Sequence, residues 1–159
     1  MSQENVEIIR RGYEHFRETR DFQEEMFGPV FVWDMSTFRD WPEQHTYQGL
    51  EGARTFISDW VGAWDDWEVE VESLHDADNK VVVILHQHGR SKATGLPVDM
   101  HFGQVWTIRD GKQLRMQMYA SPEEALEAAG LSGLSQENVE VGSDTARRPP
   151  FGGWTGQIG

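Results

Sequence analysis

The run Asp99-Met100-His101-Phe102-Gly103-Gln104-Val105-Trp106-Thr107-Ile108-Arg109-Asp110-Gly111 decides the fold class. Its large apolar residues fall at every second position, the two-residue period of a strand with one buried face. Asp110-Gly111 then supplies the positive backbone angles of a tight hairpin turn. Leu114, Met116 and Met118 alternate in the returning strand.

The same reading extends upstream. Val81, Val83, Leu85 and Gln87 alternate with Val82, Ile84, His86 and His88, between a turn at Asp76-Ala77-Asp78-Asn79 and another from Lys92 to Gly95. Before that turn, Trp67, Val69 and Val71 alternate with Glu68, Glu70 and Glu72. Four long strands in succession, each joined to the next by a short turn, predict an antiparallel meander. Parity puts Val81, Val83, Leu85, Gln87, Met100, Phe102, Gln104, Trp106, Met116 and Met118 on one inner face.

Helical periods flank the meander. Val6, Ile9, Tyr13 and Phe16 form a stripe at spacings of three and four. A second, short helix from Asp21 carries Phe22, Met26 and Phe27 and stops at Gly28-Pro29. Val30 to Asp34 reads as a short strand, residues 35–48 as a loop, and residues 50–63 as a helix whose apolar face includes Phe56, Ile57, Trp60, Val61 and Trp64. Ser121-Pro122 opens a closing helix that Gly130 ends. The expected fold is α+β: a curved antiparallel sheet wrapped around about three helices, with a short C-terminal helix.

Residues 1–132 hold all these elements and form the expected domain. From 133 to 159 the glycines and Arg147-Arg148-Pro149-Pro150 read as a flexible tail, in which residues 135–140 repeat residues 2–7 verbatim. The net charge of −13 argues against nucleic acid, whose phosphates need Lys and Arg, and against an anionic membrane surface. Cysteine is absent, so disulfides and thiolate chemistry are excluded. The polar, acidic start and the lack of a long apolar run give a cytoplasmic expectation.

Three stretches carry a family likeness: residues 4–13, residues 47–54 (Tyr-Gln-Gly-Leu-Glu-Gly-Ala-Arg) and residues 105–112. With the ending at 124–130, they resemble the SnoaL-like branch of the nuclear-transport-factor-two-like superfamily, which includes polyketide cyclases and ketosteroid isomerases. The resemblance implies a cone-shaped barrel with an apolar pocket between sheet and helices. It also implies a cofactor-independent isomerase, cyclase or hydrolase acting by acid/base chemistry on a hydrophobic cyclic or polyketide-like substrate, and a homodimer through the sheet face. By the same resemblance Asp34 falls near a general base and Tyr13 near an oxyanion-binding tyrosine. Gln104 stands where the isomerases carry a second, acidic donor, so here that position can donate a hydrogen bond without exchanging a proton. The expected substrate-binding wall is Phe16, Val32, Phe56, Trp60, Trp64, Leu85, Gln87, Met100, Phe102, Trp106, Met116 and Met118. The alternative is a non-catalytic binding module for a small apolar ligand.

The outer face offers a third reading. A regular hairpin puts His86 opposite His101 and His88 opposite Asp99, a pattern that could hold a metal. Polar residues belong on an outer sheet face in any case, so the expectation is no metal and no cofactor.

Overall fold

The computed structural model describes residues 2–38, 41 and 45–131. The tail expected over 133–159, with its repeat, lies outside the described residues. Helix α1 (Ser2–Thr19) leads into a 3-10 turn (Glu24–Met26), strand β1 (Phe27–Asp34), strand β2 (Thr46–Gln48) and helix α2 (Gly49–Val61). Strands β3 (Trp64–Ala77), β4 (Lys80–Ser91), β5 (Pro97–Arg109) and β6 (Lys112–Tyr119) follow, then helix α3 (Pro122–Ala128).

The meander forms as its turns dictate. Asp110 and Gly111 take φ of 51° and 78°, the double left-handed conformation of a type I′ hairpin. Ser121 caps α3 by accepting the Glu124 N–H at 3.2 Å. The α+β class and the curved sheet with its closing helix are as expected, and the strand order β2-β1-β6-β5-β4-β3 adds two features. The curved sheet is open rather than a closed barrel, and it is mixed, because β1 runs parallel to β6.

Strand β1 also starts earlier than expected, running through Gly28-Pro29. Its pairing with β6 shifts between Phe27 and Val32. Pro29 lies inside that irregularity, where the ladder asks for no N–H. Part of the expected 35–48 loop is strand β2, which extends the sheet by pairing Tyr47 with Trp33. Trp64, expected at the end of a helix, opens β3.

The main core lies between the inner sheet face and helices α1 and α2. It gathers Val6 and Ile9, Phe31 and Trp33, Phe56 and Trp60, and the inner residues of β4, β5 and β6. On the opposite face α3 covers Val82, Ile84 and Val105 through Ala125. Burying such side chains is worth about 1.5–3 kcal/mol each, so the helices are fixed to the sheet by their apolar faces.

Candidate functional site

A cavity of about 90 Å³ remains inside the main core. Of the residues expected to line it, Tyr13, Phe16, Phe56, Trp60, Leu85, Gln87, Phe102, Gln104, Trp106 and Met118 do so. Met116 is packed in the core beneath, and Trp64 and Met100 lie against the core from its edge without lining the cavity.

Val32 and Asp34 are elsewhere. Phe31 and Trp33 are the β1 side chains that enter the core, so alternation turns Val32 and Asp34 to the opposite face. There Asp34 is buried and accepts a hydrogen bond from Arg115 Nη2 at 2.6 Å and from the Ser36 N–H at 2.8 Å. Burial alone would push its carboxyl up, but the hydrogen bonds from Ser36 and Arg115 outweigh it and hold Asp34 below the ordinary carboxylate range. Asp34 is thus a paired carboxylate away from the cavity.

The aromatic lining residues missed from the sequence are Phe22, Phe27, Trp33 and Trp67. Trp33 was one position out of the assumed parity. Gln113 is turned toward the cavity by an irregularity that passes over Leu114 between Thr107 and Ile108. No local sequence signal marks either choice.

Two glutamines organise the polar part of the lining. Trp60 and Trp67 both donate their indole N–H to Gln87 Oε1, at 2.7 and 2.8 Å. An indole N–H only donates, so these contacts fix the amide's orientation. The Gln87 NH₂ group then points at Met100 Sδ, 3.7 Å away. Gln104 repeats the arrangement. Its Oε1 accepts from the Tyr13 hydroxyl and, at 3.2 Å, from Trp106 Nε1. Its NH₂ group faces Met118 Sδ at 3.6 Å. Trp33 Nε1 is buried with no hydrogen-bond partner among the described residues. A thioether is a weak acceptor, so the oxygens of Gln87 and Gln104 are occupied while three N–H donors, theirs and that of Trp33, have little to bind.

Among the described residues the lining carries one titratable group, Tyr13. Burial pushes its hydroxyl well above the ordinary tyrosine range, although a hydrogen bond from Trp106 works the other way. Tyr13 therefore stays protonated.

A groove of about 230 Å³ runs between α1 and β3 and shares Tyr13, Phe16, Val69 and Leu85 with the cavity. Arg17, Arg20, Glu68 and Glu70 line its outer part. The Arg20 guanidinium, which lines the groove, lies 5.3 Å from the ring centroid of Trp67, which lines the cavity. The outer sheet face shows the expected register, with His86 opposite His101 and His88 opposite Asp99. Among the described residues no helix is long and apolar enough to cross a membrane.

Comparison with known proteins matches residues 9–116 to the SnoaL-like domain. No curated protein sequence matches the chain. Among solved structures, TerC co-crystallised with polyporic acid is similar at 22% identity and a TM-score of 0.61, over 79% of this chain and 98% of TerC. An NTF2-like protein from Burkholderia thailandensis is similar at 20% identity and a TM-score of 0.62, over 79% of this chain and 95% of that protein. A protein from Catenulispora acidiphila with a ketosteroid isomerase-like fold, in complex with trimethylamine, is similar at 15% identity and a TM-score of 0.51. It aligns with 67% of this chain and 78% of its own.

Proposed function

The chain belongs to the SnoaL-like domain family, and from that premise we propose that it binds a small, flat, mostly apolar molecule bearing carbonyl-type oxygens, in the cavity beneath α1. The observation that carries the reading is the imbalance of donors and acceptors. Gln87 and Gln104 each give their oxygen to two protein donors and aim their NH₂ groups at sulfur. Trp33 adds an N–H with no partner. Buried donors left this way are costly, roughly 1–3 kcal/mol each, and a ligand oxygen relieves the cost. The aromatic walls suit a planar ring.

Size limits the ligand. An engineered cavity of about 150 Å³ accepts benzene, and this one is about 90 Å³. A ring must therefore displace a wall. Trp67 is the half-buried tryptophan of the lining, whereas Trp33, Trp60 and Trp106 are buried. Trp67 is therefore the tryptophan best able to give way, and a substituent on the ligand ring could reach the groove past the shared residues Tyr13, Phe16, Val69 and Leu85.

Proton abstraction is the weaker reading, because Asp34 is paired with Arg115 on the other sheet face and Tyr13 is held protonated. What the lining supports is binding and polarisation of an oxygen by donated hydrogen bonds. The small ligands recorded with TerC and with the Catenulispora protein agree with a ligand-binding role for the fold.

The test pairs aromatic ketones or quinones with hydrocarbons of matched shape, titrated against intrinsic tryptophan fluorescence. The carbonyl compounds should bind more tightly. Trp33→Phe keeps an aromatic ring, removes the N–H and leaves extra space that both series share, so the preference for carbonyl over hydrocarbon ligands should fall roughly 3–10-fold. Equal binding of the two series, or equal loss in the variant, refutes the donor-based reading.

A further inference from the structure

We propose that the outer face of β3, β4 and β5 carries a site for a divalent transition cation of the zinc class, held by Glu72, His86 and His101. The site is separate from the cavity, since His86 and His88 alternate along β4 with the cavity residues Leu85 and Gln87. One ligand atom from each of the three residues lies within 4.8 Å of the other two. They come from three adjacent strands, so the hydrogen-bonded ladder holds their backbones at fixed spacing.

His86 is already oriented as a metal-binding imidazole should be. Its Nε2 meets Asp99 Oδ1 at 2.8 Å, a carboxylate contact of the kind that fixes the tautomer and ring orientation of a metal-ligating imidazole. Its Nδ1 lies 3.7 Å from Glu70 Oε2. The Asp99 side chain is 5% exposed, and its second oxygen is buried without a hydrogen-bond partner among the described residues. Glu72 Oε1 meets His101 Nδ1 at 3.1 Å.

Charge supplies the second argument. The ion-pair partners of Glu70, Glu72 and Asp99 among the described residues are imidazoles, with no Lys or Arg. Three carboxylates on a partly buried face of a chain with net charge −13 give that face negative charge that a bound cation would offset. Two imidazoles and a carboxylate suit zinc and its neighbours, whereas magnesium and calcium require oxygen ligands.

The geometry also says what must move. The His86 and His101 rings are stacked, with centroids 4.3 Å apart and planes 2° apart. Parallel rings cannot both aim an in-plane lone pair at one ion. His101 is 44% exposed and is the ligand with room to turn out of the stack.

Calorimetry with zinc on the metal-stripped full chain tests the site, with metal content of the loaded protein measured after dialysis. The expected result is one zinc per chain, undiminished by excess magnesium. His101→Ala and Glu72→Gln alter partly exposed residues and should each weaken zinc at least about tenfold, with circular dichroism confirming that both fold. His15→Ala, on α1, should change nothing. Absence of zinc uptake at micromolar metal, or uptake unaltered in both site variants, overturns the proposal.

Discussion

Gln87 shows how one side chain sets a site: by accepting from the indoles of Trp60 and Trp67 it has its own amide oriented, with the NH₂ toward sulfur. Asp34 shows the opposite case, a polar residue whose partners take it out of the chemistry. Its pairing yields a stability prediction. Because the folded pKa is depressed, the contribution is present above the unfolded value near 3.9 and disappears as pH falls through the folded value. Asp34→Asn should cost about 1–3 kcal/mol at pH 7, and the gap from the parent should close in acid; urea unfolding at several pH values measures both. Carbonyl-ligand affinity should be unaltered in the same variant. A clear loss of affinity would put Asp34 back in the site. Tyr13, Gln87 and Gln104 were legible from the helical and strand periods alone. Asp34 was misplaced because a strand of five expected residues does not reveal which parity faces inward. The answer came from Phe31 and Trp33, whose bulk outweighs Val32 in claiming the core.

At the scale of elements, α3 rests on the sheet through a glycine. A Cβ built at Gly103 would stand 2.4 Å from the Ala125 Cβ, so the helix sits as close as it does only because the strand lacks a side chain there. Gly103→Val should therefore lift α3 and cost about 1–3 kcal/mol, read by chemical denaturation. A variant as stable as the parent would mean that α3 contributes little to the folded state. The meander was readable because each of its turns is local and carries its own residues, as at Asp110-Gly111. The parallel β1–β6 pair was not, since residues 81 apart, as Asp34 and Arg115 are, share no turn to announce their meeting. The strand order puts β3 at the edge of the sheet, where Glu68, Glu70 and Glu72 discourage another strand from adding to it.

For the molecule as a whole, the net charge of −13 works against compactness. Screening should help. Raising sodium chloride from low to moderate concentration should add roughly 1 kcal/mol, about 2–4 °C in melting temperature, measured by calorimetry on metal-free protein. A melting point that falls with salt would show that favourable pairs such as Asp34–Arg115 outweigh the repulsion. The parallel pair has a further consequence, for synthesis on the ribosome. Strand β1 cannot take its place until β6 has emerged, 81 residues later by the Asp34–Arg115 contact. At about 5–20 residues per second that delay is roughly 4–16 s. Throughout it Phe31 and Trp33 have β2 as a neighbour but lack the rest of the sheet that buries them. The nascent chain thus passes through an interval in which an apolar strand is only partly covered, when a holding chaperone has most to offer.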